Sequence, residues 1–337
     1  MTEFDCVYVS ATSGIHDKRW VQALVNLGHQ PAVLSLDTST SLDALISSVR
    51  ATAGSSLPVL AGPLTTITQH LVAQAPELTT VGLSWGFDLF ELLAHDELAW
   101  LHNLSGLVID SEPTRLIATS AGVPADRMTF IPWGIDLPAF TPIGSKIALS
   151  TLGWNEDSRM VLSLRAHEEL YRIGDILEAF ADVASTDPNV MLVIGHSGSL
   201  TATLRARVSE LQLDERVRFI GTITESELPD WLRAASCYVT ASEVDGTSVT
   251  LLQAMACETP IVASETPGNL GWIDDGKTGS TFTTGSIPSL TSALMTVLSS
   301  DTAPSSARAR ALVLEKADWN RNINRLEEAL FHQDRTY

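Results

Sequence analysis

Short apolar runs of strand length alternate with amphipathic runs of helical period along almost the whole chain. In the first half the strand-like runs are FDCVYVS, QPAVLSL, LPVLAG, TTVGLSW, GLVIDS and MTFIPW. In the second they are RMVLSL, VMLVIGH, VRFIG, CYVTAS and TPIVAS. Between them lie segments such as KRWVQALVNLG, whose Trp20, Leu24 and Leu27 share one helix face. A strand without a polar face must be covered on both sides, and alternating helices do this for a parallel sheet. Two such sets in 337 residues predict an α/β chain of two facing Rossmann-like domains. The segment 132–146 holds three prolines and no clear period. It reads as an ordered linker, giving a first domain over 1–142 and a second over 143–318.

Charge restricts the partners. Lys and Arg number 21 against 40 Asp and Glu, a net charge of −19. The excess is spread along the chain, −9 up to residue 142 and −10 beyond it. With no basic face, neither a nucleic acid nor strong electrostatic docking on anionic lipid is expected. No apolar run approaches the eighteen or so residues of a membrane span. The start, MTEFDCVYVS, lacks the basic region of a signal peptide and reads as a first strand. Cys6, Cys237 and Cys257 are an odd, widely spaced set in apolar contexts, read as buried thiols in a cytoplasmic protein. The eight histidines are scattered, with no His-x-x-x-His and no Asp-x-Asp, so no metal site is expected.

Open parallel sheets bind ligands beyond the carboxyl ends of their strands. Arg165 follows RMVLSL, and Arg172 stands seven residues on. A guanidinium there suits a diphosphate through paired, charge-assisted hydrogen bonds, but would equally serve a surface ion pair with Glu168 or Glu169. After CYVTAS comes Glu243-Val244-Asp245-Gly246-Thr247-Ser248, opening a helix. Thr247 or Ser248 would cap it, and its free amides and dipole favour an anion or sugar hydroxyls. Gln253, two turns in, would reach a ribose or stand in solvent. After the first strand, Ser10 to His16 is a small-residue loop holding Gly14 without the full dinucleotide spacing. His16 is a proton-handling or a structural side chain. Trp85 and Asp88, after TTVGLSW, are a stacking surface and a hydroxyl acceptor, or packing groups.

Three segments together resemble the retaining glycosyltransferases of family 4, also called glycosyl transferases group 1, which have the GT-B fold. They are VIDSEPTRLIATSAGVPADRMTFIPWGIDLPAF, RFIGTITESELPDWLRAASCYVTASEVDGTSVTLLQAMACETPIVASETPGNLGWIDDGKTG and ADWNRNINRLEEALF. The resemblance implies a nucleotide-sugar donor on the second domain, a glycan or small-molecule acceptor on the first, and no metal or other cofactor. It implies that a helix over 319–333 packs back on the first domain. The family's acid–x7–acid motif falls on Asp245 and Gln253, both departures: the first residue is shorter than the usual Glu, the second is neutral. The resemblance assigns the diphosphate to Arg165, Arg172, Gly14 and the backbone of Thr247, Ser248 and Val249. It assigns the base and ribose to Thr222, Ile223 and Gln253. The sugar falls to Asp245, with His16 substituting for a histidine that this chain lacks after TTVGLSW. Uridine diphosphate is the donor the family most often uses. Two other readings share the fold: a nucleotide-sugar epimerase or phosphorylase, and a binding partner protein that has lost turnover.

Overall fold

A computed structural model describes residues 4–38, 41–142 and 144–331. The chain divides into two compact units. One runs up to Trp133 and resumes at Asn320; the other is Gly134–Trp319.

The first unit carries β1 (Cys6–Ser10), β2 (Pro31–Ser35), β3 (Val59–Ala61), β4 (Thr80–Leu83), β5 (Gly106–Ile109) and β6 (Met128–Phe130). All neighbours are parallel, in the order β2-β1-β3-β4-β5-β6. β1, β3, β4 and β5 are buried along their whole length, as their unbroken apolar runs require. One core, around Val7, Leu45, Val49 and Leu71, and a second, around Leu89, Leu101, Leu107 and Ile117, back this sheet. The chain leaves β1 toward β2 and returns on its other side at β3, so strand order reverses between β1 and β3.

The second unit carries β7 (Arg159–Ser163), β8 (Val190–Gly195), β9 (Val217–Gly221), β10 (Cys237–Thr240), β11 (Ile261–Ser264) and β12 (Ser280–Phe282). They are again parallel, ordered β12-β11-β10-β7-β8-β9. This is the doubly wound order with its reversal between β7 and β10. Helix Ile173–Thr186 lays Ile176, Leu177, Phe180 and Val183 into the core, beside Leu290 and Leu294 of helix Ile287–Ser299.

All eleven strand-like runs of the sequence are strands. β12 has no such run: it is three residues, Ser-Thr-Phe, and exists because β11 offers it a free edge at Val262–Ser264. The helix expected over 319–333 is in two pieces, Trp319–Asn322 and Arg325–Phe331. Asn322 and Asn324 are weak helix formers, and Asn322 donates instead to the Pro132 carbonyl at 3.1 Å. The second piece packs on β5 and β6 of the first unit, and positions 332 and 333 lie outside the described residues. Where the chain leaves the first unit, Gly134 lies so near the returning segment that a Cβ would meet the Trp319 amide at 2.7 Å. Beside it, Ile135 bridges Asp318 in parallel.

Asp88 ties two loops at the carboxyl end of the first sheet. It is buried, and it accepts from the Leu64 amide (2.8 Å) after β3 and from the Ser84 hydroxyl (2.7 Å) and Trp85 amide (3.1 Å) after β4. Burial pushes its pKa up to about 6, against the pull of these hydrogen bonds. The folded state therefore holds this proton more tightly than the unfolded chain, whose Asp titrates near ~3.9. The resulting stabilisation is full below about pH 4 and is lost as pH rises through about 6, a change of up to about 3 kcal/mol. Denaturant unfolding of the wild type and Asp88→Asn at pH 4 and pH 7 is expected to show the wild type's advantage shrinking at the higher pH. A gap independent of pH would contradict this.

Candidate functional site

The reversal of strand order in the second unit gathers charged side chains. Arg165 stands two residues beyond the end of β7. Beyond β10 the loop carrying Asp245 leads into helix Val249–Ala256. Arg165 Nη2 lies 2.8 Å from Asp245 Oδ2, each side chain only 13% exposed. Its Nη1 donates to Ser248 Oγ at 2.9 Å, and its guanidinium stacks on the Tyr171 ring 4.3 Å from the centroid. The partner of Arg165 is thus Asp245; Glu168 instead accepts from the Ser199 amide at 2.8 Å. Burial works against the Arg165 charge, but Asp245 outweighs it and holds its pKa above the ordinary value. Burial raises the Asp245 carboxyl above the usual carboxylate range, with Arg165 pulling it down. The Tyr238 hydroxyl, buried beside both, is pushed up to about 12, chiefly by burial.

Ser248 is the N-cap: its side chain accepts from the Leu251 amide at 3.4 Å. The amides of the first turn therefore face the carboxyl end of the sheet, beside Arg165. Thr247 and Val249 flank the cap, half-buried, and Gln253 lies half-buried further along the helix. Thr222 follows β9 and is exposed. Ile223 reaches toward β8, where a Cβ on Gly195 would lie 3.4 Å from its Cδ1. Arg172 takes a different course. Its Nε donates to Asp175 at 2.7 Å and its guanidinium lies against Gly285, apart from the contacts that join Arg165, Asp245 and Ser248.

The first unit has a second cluster at its own reversal. His16 sits edge-on to two indoles, Trp85 at 5.2 Å and Trp133 at 5.1 Å between ring centroids. Trp20 lies 5.6 Å from Trp133. Trp85 Nε1 is buried with no hydrogen-bond partner among the described residues. Gly14 is the N-cap of helix Ile15–Asn26. Asp88 is buried under Trp85, both its oxygens taken by the loops it ties.

Two organising residues escaped the sequence reading. Asp17 is buried and accepts from the Tyr8 hydroxyl and the Gly14 amide, each at 2.9 Å, fixing the loop that presents His16. Its signal was an acid at the third position of the helix, where a capping box places one. Gly268 lies against the Asp245 loop: a Cβ there would stand 1.9 Å from the Gly246 carbonyl oxygen and 2.4 Å from that of Asp245. Asn269 donates to the Ser264 carbonyl at 2.9 Å, and Ser264 to the Ser242 carbonyl at 2.7 Å, fastening the same loop. Only the Pro-Gly after β11 hinted at such an approach.

Among the described residues no group of three or more His, Cys, Asp or Glu side chains is placed to hold a metal ion, and no helix is long and apolar enough to cross a membrane.

Two Rossmann-like units, each built on a six-stranded parallel sheet, have the GT-B fold. Solved structures have this fold. Anabaena HepE in complex with UDP and glucose matches with a TM-score of 0.78 at 16% identity, over 96% of this chain and 98% of that one. Sucrose-phosphate synthase from Thermosynechococcus elongatus matches with a TM-score of 0.83 at 16% identity and the same coverage. Residues 147–312, within the second unit, match the family model Glycosyl transferases group 1. Among curated relatives, alpha-monoglucosyldiacylglycerol synthase of Streptococcus pneumoniae is 28% identical over 54% of this chain and 42% of its own. D-inositol 3-phosphate glycosyltransferase of Frankia alni is 30% identical over 49% and 46%. The chain thus spans less than half the length of either relative in these matches.

The Gly268 contact can be tested directly. Gly268→Ala is expected to force the Asp245 loop away and lower stability by about 1–3 kcal/mol, the range for overpacking. Gly174→Ala, in helix Ile173–Thr186 with nothing within 4 Å of the added carbon, is expected to be neutral or stabilising by up to about 1 kcal/mol. Thermal or denaturant unfolding of both variants checks the pair.

Proposed function

We propose that this protein transfers a hexosyl group from a nucleoside diphosphate sugar to a hydroxyl acceptor, with retention of configuration and without a resident metal or other cofactor. The observation that carries the reading is the buried guanidinium of Arg165, joined to Asp245 and to the capping Ser248 at the mouth of helix Val249–Ala256. The family-model match over residues 147–312 supports it. The UDP and glucose bound by Anabaena HepE support a uridine nucleotide as donor.

In this reading the second unit takes the donor. Arg165 and the amides of Thr247, Ser248 and Val249 neutralise the diphosphate as it departs, the work a metal ion does elsewhere. Arg172 adds a second cation once it leaves Asp175. Gln253 holds the ribose through an acceptor oxygen and a donor amide. Thr222 and Ile223 border the base, and Asp245 holds the sugar's hydroxyls. The bond from the anomeric carbon to the phosphate oxygen breaks, and the acceptor oxygen attacks from the face the diphosphate leaves. The acceptor's proton passes to a phosphate oxygen, so the nucleotide departs as the diphosphate. The acceptor, a glycan or small molecule, belongs to the first unit, beside His16 and Trp85. Asp88, its oxygens already engaged, would hold Trp85 in place. The acidic chain, with no membrane-spanning helix among the described residues, is read as cytoplasmic.

Arg165→Ala is expected to lower turnover of the donor by about 10²-fold or more, as loss of a charged transition-state donor does. Product nucleotide release and the anomeric proton coupling of the product measure rate and retention together. A few-fold change would remove Arg165 from the clamp. Donor binding without turnover on any acceptor would assign the protein to the binding partners instead.

A further inference from the structure

A diphosphate at Arg165, as proposed above, would arrive where an anion already sits. We infer that Asp245 is an internal stand-in for that diphosphate. In the free protein its carboxylate occupies Arg165, and donor binding exchanges it for phosphate oxygens, releasing the carboxylate to the hydroxyls of the sugar. The inference rests on the donor-site reading and adds a self-blocking step to it.

The contacts decide which partner moves. Arg165 is held from two further sides, by Ser248 Oγ at 2.9 Å and by the Tyr171 ring at 4.3 Å. Asp245 stands on a loop whose backbone is pressed against Gly268, so exchange is a rotation of the Asp245 side chain and leaves the loop in place. The ion pair is close, yet Asp245 Oδ2 and Arg165 Nε are both buried with no well-formed hydrogen bond among the described residues. A cluster with unused donors is poorly matched to the carboxylate it holds and better matched to a larger anion. Breaking a buried pair by removing one partner is costly because it strands a charge. Exchange of one anion for another avoids that, since Arg165 is never left unpaired.

A site closed for most of the time binds with an affinity reduced by the open fraction. Neutralising the stand-in removes that reduction. Calorimetric titration of UDP is therefore expected to show Asp245→Asn binding about 10-fold tighter than wild type, the gain when an open population of about one in ten becomes the whole. Asp245→Glu, which keeps the charge, is expected to bind within a few-fold of wild type, and uridine, which has no phosphate, to gain nothing from Asp245→Asn. Unchanged or weaker UDP binding by Asp245→Asn would overturn the exchange while leaving the donor site standing. No UDP binding by any of the three proteins would overturn both. Should Asp245→Asn fail to fold, the wild type answers alone. The side-chain carboxyl carbon of Asp245, followed by ¹³C NMR, is expected to move on saturation with UDP, and an unmoved resonance would overturn the exchange.

Discussion

The ion pair between Arg165 and Asp245 depends on features from three parts of the second unit. β7 ends where strand order reverses, which delivers Arg165 to a crevice rather than to a covered edge. β10, the neighbour across the reversal, delivers the loop that carries Asp245. Gly268, after β11, lets that loop lie against a third segment closer than any side chain would allow. A charge as enclosed as Arg165 persists only with a partner. The sheet order, the loop and the glycine together keep Asp245 within 2.8 Å of it.

The first unit solves the same topological problem with different chemistry. Its reversal lies between β1 and β3, and the side chains gathered near it are aromatic: His16 against Trp85 and Trp133. Two buried carboxylates fasten the loops there. Asp17 binds the loop after β1, and Asp88 joins the loops after β3 and β4. Neither carboxylate is free to meet a ligand while it does so. One unit thus gathers charged side chains at its reversal of strand order and the other aromatic ones.

The strands were legible because eleven of them fall on short, mostly apolar runs. β12 was not, because Ser280 to Phe282 carries no such run and is recruited by its neighbour. The helix over 319–333 looked continuous because its apolar period is unbroken, while the break at Ile323–Asn324 comes from tertiary contacts that period does not encode. In the site, Arg165, Asp245 and Ser248 could be named from their places after strands and before a helix. Their pairing could not, because Arg165 and Asp245 are far apart in sequence and Glu168 and Glu169 were nearer candidates. Arg172 illustrates the converse: its spacing from Arg165 suggests a common task, but its backbone takes a left-handed turn at φ 47° and its side chain goes to Asp175. Gly268 and Asp17 act through close approach and burial, which a sequence pattern registers only weakly.

The most direct test of the account is a crystal structure of the protein with UDP. The account predicts the diphosphate within hydrogen-bond distance of Arg165 and of the amides that open helix Val249–Ala256, with the ribose at Gln253 and the Asp245 carboxylate turned away from Arg165. UDP bound elsewhere on the second unit, with Arg165 and Asp245 still paired, would contradict it.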